Sequence, residues 1–470
     1  MERMTALDAG FFFAEHANVP MHLGALAVFE GPAPSCQELA GLYSAKLPRV
    51  PRYRQVVRTA PLHMFRPAWA DDERFEIGYH LRHAAVPRPG RDPQLHRLAG
   101  QIYAQPLERS RPLWEAWLLD GIEAGRWAIL SKVHHCMVDG VGGAELLAEL
   151  FDLRPDAGPP AQAAAWQPQP GPSVAGTLAS GLRGVVSLPL QALHGVPGLT
   201  LQPPAPGDLA AFTRGLASSA RRLTVPSASC LNGPIGPGRR WGWTTASVNS
   251  VKRIRAEFGS TVNDVVLAAI TRGFRDLLME RRELSDGLIV RSLVPISIRC
   301  AGEQGVITNR LSAVLANLPV AESDPARRLQ LVSDQMGQIK RTRQAAPAEL
   351  LTQVLGAAPT ALLNLGVRAA FQIPQPLVQT MTTNVPGPQF PLYILGRRLA
   401  EVHPYAPIGD NFKIAIAIFS YLGQLSFGIT AESSAAPDLD ILTQGIHHGL
   451  AELQPQPATS SQANRHRRRA

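Results

Sequence analysis

Apolar and polar positions along the chain form two stretches of mixed patterning, separated by a long one with no period. From His22 to Glu30, HLGALAVFE has the near-continuous apolar character of a buried strand, and CQELAGLYSAKL from Cys36 has helical spacing. RFEIGYHLRHAAV alternates, and a helix is expected from Asp92 to Leu107. LWEAWLLDGI and RWAILSKVHH read as strands divided by Glu-Ala-Gly turn material. GGAELLAELFDL returns to helical spacing and stops before Pro155.

After this the pattern fades. Residues 155–238 are rich in Pro, Gly, Ala and Gln and poor in acids, which predicts a linker, partly helical at VAGTLASGLRGVVSLPLQALHG and DLAAFTRGLASSARRL. The second half resumes with the strand RRWGWTTASV and helical patterns at SVKRIRAEFG and TVNDVVLAAITRGFRDLLMERREL. LIVRSLVPISI, RLSAVLANLPV, QTMTTNVPGP, LYILGRRLAEVHPYA, NFKIAIAIFSYLG and QLSFGITAE are strand candidates, with helices expected at 325–343, 350–371 and 437–453. Each half therefore mixes a sheet with helices. The expectation is an α/β protein of two domains, 1–154 and 239–455, followed by a disordered basic tail at 456–470.

Composition narrows the class. The 470 residues are 45% hydrophobic and 18% charged, enough apolar material for packed cores and too much for a disordered chain. The four cysteines, Cys36, Cys136, Cys230 and Cys300, are scattered, which suggests neither a zinc site nor a disulfide framework and fits a cytoplasmic setting. The opening MERMTALDAGFFFAEH lacks the pattern of a secretory signal, and no apolar run reaches the ~18 residues of a spanning helix. The net charge of +9 is compatible with nucleic acid, an anionic lipid surface or an anionic small ligand. No nucleic-acid partner is expected, because no binding motif or aromatic-interleaved basic patch accompanies the charge. The tail arginines Arg465, Arg467, Arg468 and Arg469 are either a solvated end or an attraction to anionic lipid.

The most informative residues follow the strand WAILSKV: His134, His135, Cys136, Met137, Val138, Asp139 and Gly140. Neighbouring side chains of an extended backbone point to opposite faces, so one imidazole is expected in a cleft and the other behind it. Asp139 can fix the turn or pair with an arginine. A metal site is disfavoured because adjacent strand residues diverge and no third ligand is near. A nucleophilic Cys136 is disfavoured because a Cys-His dyad usually draws its members from separate segments, and a serine hydrolase because no G-x-S-x-G elbow occurs. The second pair, His447 and His448, lies in a helical pattern without a following Asp and reads as structural.

H-H-x-x-x-D-G is the signature of the acyltransferase superfamily that includes chloramphenicol acetyltransferase, carnitine acyltransferases and peptide-synthetase condensation domains. More specifically, the chain resembles the bacterial wax ester synthase/diacylglycerol acyltransferase family. The resemblance runs through ALDAGFFFAE, PMHLGALAVFE, RPLWEAWLLDGI, HHCMVDG, LNGPIGPGRRW, TVNDVVLAAI, LVPISIR and TTNVPGP in order, over nearly the whole chain.

That resemblance implies two chloramphenicol-acetyltransferase-like domains facing one another across a central channel that holds the signature His. It also implies O-acyl transfer from acyl-CoA to diacylglycerol or a long-chain alcohol, with no resident cofactor and no metal. By the superfamily's pattern His135 is the general base, His134 its support, Asp139 a structural residue beside Gly140, and Arg299 the partner of Asp139. Thr383 and Asn384 are the oxyanion candidates, although Thr382 and Thr383 stand where serine is more usual. Asn263 and Asp264 match the family's Asn-Asp motif and open a helix, where a cap is the alternative reading. Peripheral association with membrane or lipid inclusions is expected. Two alternatives stay open: a superfamily acyltransferase with another acceptor or a carrier-protein donor, and a non-catalytic lipid-binding protein.

Overall fold

The computed structural model describes residues 2–60, 66–138, 149–156, 166–169, 227–297, 311–341 and 377–454. Among them, two six-stranded sheets carry the helices. The first half supplies β1 (His22–Phe29), β2 (Gln55–Arg58), β3 (Ala68–Asp71), β4 (Leu81–Ala85), β5 (Trp114–Ile122) and β6 (Arg126–His134). The second supplies β7 (Arg239–Ser247), β8 (Val290–Ser297), β9 (Leu311–Leu318), β10 (Thr380–Pro386), β11 (Tyr393–Ile394), β12 (Arg397–Tyr405), β13 (Ile414–Tyr421) and β14 (Gln424–Glu432). The helices are α1 (Ala6–Ala14), α2 (Cys36–Lys46), α3 (Ile77–His80), α4 (Asp92–Ala104), α5 (Val248–Phe258), α6 (Val262–Glu280), α7 (Pro325–Arg341) and α8 (Leu439–Glu452).

The first sheet has the order β11-β12-β1-β6-β5-β4 and the second β7-β14-β13-β10-β8-β9, while β2 and β3 form a separate ribbon. Both large sheets are covered on both faces, so their central strands lose the alternation of a half-exposed sheet. In β1, Ala25, Ala27 and Phe29 pack with Leu39, Leu42 and Tyr43 of α2, whereas Leu26 and Val28 pack with Leu95, Ala99 and Ile102 of α4. In β13, Ile414, Ile416 and Ile418 join the α6 and α8 core, and Ala415 and Ala417 face the other way.

The patterns at α2, α4, β5, β6, β7, α5, α6 and β13 reappear as elements, with three differences. RFEIGYHLRHAAV, read as one alternating segment, breaks into the single turn α3 and the short β4. The helix expected to reach Leu107 stops at Ala104. LYILGRRLAEVHPYA is two strands, because Leu395 and Gly396 both take positive φ (50° and 76°) and form a two-residue hairpin loop of the primed kind. The linker helices and the helix expected at 350–371 lie outside the described residues.

The sequence halves and the two sheets do not coincide over β12. This second-half strand hydrogen-bonds to β1, pairing Leu26 with His403 and Gly24 with Tyr405. It also faces the second sheet: Trp241 Nε1 of β7 donates to Pro404 O at 3.3 Å, and His403 Nδ1 lies 2.8 Å from Ser426 Oγ of β14. Glu401 Oε2 is 2.9 Å from His403 Nε2, completing a Ser-His-Glu chain. It is a seam rather than a second active centre, since His403 and Ser426 are buried and Trp243 stacks on the imidazole at 4.1 Å. Burial, opposed by Glu401, lowers the pKa of His403.

Candidate active site

His134 ends β6 opposite His22 of β1, and the chain turns immediately afterwards. His134 is fully buried, while His135 is half-buried, so the strand end separates the two imidazoles as alternation requires. Three backbone bonds hold the turn. His134 N–H donates to Leu113 O (2.9 Å), His135 N–H to Met21 O (2.7 Å) and Met137 N–H to His134 O (2.9 Å). Leu113 belongs to the PLW segment, whose Trp114 is sandwiched between Tyr53 (4.5 Å) and His80 (4.6 Å) and donates Nε1–H to Tyr53 O. PLW therefore packs the strand behind the histidines.

The imidazole of His134 is hydrogen-bonded on one side and faces a carboxylate on the other. Its Nδ1 accepts the Cys136 N–H at 3.0 Å, which assigns the ring proton to Nε2, and Nε2 lies 3.5 Å from Glu15 Oε1. Glu15 leaves the end of α1 and accepts from Arg109 Nε (2.8 Å) and Met21 N–H (3.2 Å). Burial opposes the charge on this carboxylate, but His134 and Arg109 outweigh it and hold its pKa down at about 2. On the other histidine, the Phe11 ring of α1 lies nearly parallel to the His135 imidazole, with centroids 3.8 Å apart. His22 adds no charge to this region, since burial and the nearby Lys132 push its pKa well below the ordinary value.

Apolar side chains from both halves surround Phe11. It packs against a cluster containing Met21 and Val19 of the first half and Ala406, Ile408, Ala415 and Ala417 of the second, joined by Met381 and Phe412. Met381 lies on β10, which brings the second sheet's NVPGP strand into the same neighbourhood. Along β10, Thr383 shares the face of Met381 and is half-buried, whereas Asn384 points to the opposite face and is exposed. Thr382, also on that opposite face, is buried and accepts from Ser292 Oγ at 2.8 Å. The two oxyanion candidates are thus separated by strand alternation.

Residues 4–266 match the profile of the wax ester synthase/diacylglycerol acyltransferase catalytic domain, and residues 307–454 match the WS/DGAT C-terminal domain. The chain belongs to the wax ester synthase/diacylglycerol acyltransferase family. A Mycobacterium tuberculosis relative named diacylglycerol O-acyltransferase tgs1 is 34% identical over 456 residues, covering 96% of each chain. A Mycobacterium bovis relative of the same enzyme name shows the same identity and coverage. Among solved structures, the wax ester synthase/diacylglycerol acyltransferase of Marinobacter aquaeolei VT8 shares the fold with a TM-score of 0.67 at 24% identity, covering 96% of this chain and 98% of that one. The first condensation domain of the calcium-dependent antibiotic synthetase shares it at 0.59 and 16% identity, covering 97% and 98%. The α/β fold implied by the motifs is thereby established.

Other expected site residues of this family member are placed variously. Asp139, Gly140 and Arg299 lie outside the described residues, so the expected Asp139–Arg299 pair does too. Asp264 is buried and closes a capping box at the start of α6: its Oδ2 accepts Thr261 N–H (2.9 Å) and Thr261 Oγ1 accepts Asp264 N–H (3.2 Å). Ser333 of α7 also donates to it at 3.2 Å. Asn263 beside it is half-buried in the first turn. Burial pushes the Cys136 thiol well above its ordinary pKa, so it is not poised as a nucleophile. No group of three or more metal-ligating side chains occurs among the described residues. His447 and His448 are exposed on α8.

Glu15 and Arg109 carry structure around the histidines that no local pattern in the sequence assigns. Glu15 ends the motif ALDAGFFFAE, where it looks like an ordinary helix exit, and Arg109 is 94 residues away. The depressed pKa has a measurable consequence. A carboxyl that is ionised more readily in the folded state stabilises the fold above its unfolded pKa, near 4.5, and loses that contribution as pH falls toward 2. The shift corresponds to about 3 kcal/mol. Urea unfolding of wild type and Glu15→Gln at pH 7, 4 and 3 should therefore show the stability gap narrowing as the solution is acidified. A gap independent of pH contradicts the assignment.

Proposed function

We propose that this chain moves a long-chain acyl group from acyl-CoA to the hydroxyl of diacylglycerol or a long-chain alcohol, with His135 as general base. The observation that carries this reading is the split between the histidines: one imidazole is buried, with Nδ1 bonded to the Cys136 N–H and Nε2 facing Glu15, and its neighbour is half-buried against Phe11 at the end of the strand. An alcohol is a weak nucleophile at neutral pH. A neutral imidazole that takes its proton as the oxygen attacks the thioester carbonyl avoids a free alkoxide, a role worth roughly 10² to 10⁴ in rate. Collapse of the tetrahedral intermediate breaks the C–S bond, and the imidazolium returns the proton to the departing thiolate. Acyl-CoA is thus a substrate rather than a resident cofactor, and the net charge of +9 suits its polyanionic head.

Family membership and the enzyme names of the relatives support the acceptor class. Purified protein should release CoA thiol from palmitoyl-CoA in step with formation of triacylglycerol from dioleoylglycerol or wax ester from hexadecanol. Thiol release without an ester leaves only thioester hydrolysis, and neither product leaves a lipid-binding role. Such acceptors are insoluble in water, and no helix among the described residues is long and apolar enough to cross a membrane. Attachment to membrane or lipid-inclusion surfaces is accordingly peripheral in this reading. Co-flotation with anionic vesicles that weakens at high salt would support it.

For the oxyanion, strand alternation favours Thr383, which shares its face with Met381 and hence with the apolar cluster around Phe11. Thr383→Val should lower kcat by roughly 10- to 10³-fold, the range for losing one preorganised donor, while Asn384→Ala stays within about threefold. Steady-state kinetics at saturating acyl-CoA reads both. The reverse ranking transfers the role to Asn384.

A further inference from the structure

Glu15 is joined to His135 by two independent routes. Its carboxylate accepts the N–H of Met21, the residue whose carbonyl receives the His135 N–H at 2.7 Å, and it faces Nε2 of His134, the residue bonded directly to His135. One side chain therefore anchors both supports that fix where the His135 backbone lies. The carboxylate is itself held. Arg109 Nε donates to its other oxygen, the same guanidinium donates to Phe12 O at 2.6 Å, and its Cζ sits 4.4 Å over the Phe12 ring. Phe11, stacked on the catalytic imidazole, belongs to the same end of α1. A buried carboxylate costs free energy unless it is paired, and Arg109 supplies that pairing here.

We propose that Glu15, braced by Arg109, is a positioning residue for His135, acting through Met21 and His134. The proposal rests on the reading of His135 as general base. It follows from the sensitivity of proton transfer to geometry: a displacement of about 1 Å at a reacting group can cost roughly 10²-fold. Losing the carboxylate frees the Met21 and His134 supports together. The imidazole is then misplaced while the rest of the acyl-CoA site is intact.

The test is a double-mutant cycle in the full chain, with palmitoyl-CoA and hexadecanol as substrates. Glu15→Gln should lower kcat by roughly 10- to 100-fold with KM for palmitoyl-CoA changed by less than about threefold. In the His135→Ala background the same substitution should change the residual kcat by less than about twofold, because the group it positions is gone, whereas the fall in Tm should be alike in both backgrounds. Arg109→Gln, altering a partly exposed side chain, supplies a milder loss of the same kind if Glu15→Gln folds poorly, and Arg109→Lys should recover part of it. Equal fold-losses in the two backgrounds, or wild-type kcat in a folded Glu15→Gln protein, overturn the positioning role. Full activity in His135→Ala removes the general-base reading itself, and the proposal with it. An impaired His135→Ala beside an unimpaired Glu15→Gln removes only the proposal.

Discussion

With His135 as the proposed general base, His135→Ala is expected to lower kcat by roughly 10² to 10⁴ or more while acyl-CoA binding changes little, because in that role the imidazole acts on the acceptor's proton. The structure sharpens the contrast with its neighbour. His134 is fully buried, accepts the Cys136 N–H and faces Glu15, so His134→Ala deletes a packed ring, leaves the Cys136 N–H without its acceptor and takes one contact from a buried carboxylate. Its effect should divide between stability and rate: about 2 to 4 kcal/mol of destabilisation, and a kcat loss smaller than that of His135→Ala. His135 is only half-buried, and replacing it removes a stacking face for Phe11 without opening the core, so Tm should fall much less. Residual activity of His135→Ala should also lack the rise with pH that accompanies deprotonation of a base. Melting curves and pH–rate profiles of the two variants check this, and a fully active, folded His135→Ala would sink the mechanism.

What could be read from the sequence depended on how local the cause was. β13 was legible because IAIAIF is apolar at every position, as a strand buried on both faces must be. HHCMVDG was legible because two adjacent histidines at a strand end must diverge. β12 was visible as a strand, but its pairing with β1 was not: Leu26 and His403 meet across most of the chain, and nothing local in RRLAEVHPY names its partner. The hairpin before it is not legible because Leu-Gly is a weak turn signal beside Asn-Gly, although Gly396 supplies one of the two positive φ values. Glu15 was hidden for the same reason as β12, since its role comes from Arg109, Met21 and His134 converging on it. That Thr383 and Asn384 diverge follows from strand alternation, but which of them shares the face of the Phe11 cluster is known only from where Met381 of β10 packs.

The seam between the sheets should be the other place where a small change has a large effect. Gly428 of β14 lies against β12 so closely that a Cβ there would sit 1.7 Å from Pro404 O and 2.9 Å from Pro404 C. The obstacle is backbone, so no side-chain rotation relieves it. Either β12 retreats from β14 or β14 bends away from β13 and β7. A retreat of β12 strains the Trp241–Pro404 and His403–Ser426 hydrogen bonds and pulls on β1, to which β12 is paired. β1 runs back to His22, next to Met21, whose carbonyl holds the His135 N–H. Gly428→Ala should therefore destabilise the protein by about 3 kcal/mol or more and lower kcat as well, at the upper end of what overpacking does. Gly423, with φ of 78° in the β13–β14 loop and no atom within 4 Å of where its Cβ would lie, is the comparison. Gly423→Ala meets only the backbone cost of an L-residue in the left-handed region, about 1 kcal/mol, and should leave kcat unchanged. Urea midpoints of the two variants separate close approach from conformational freedom. If Gly428→Ala unfolds at the wild-type midpoint, the two sheets are not in contact through this pair of strands.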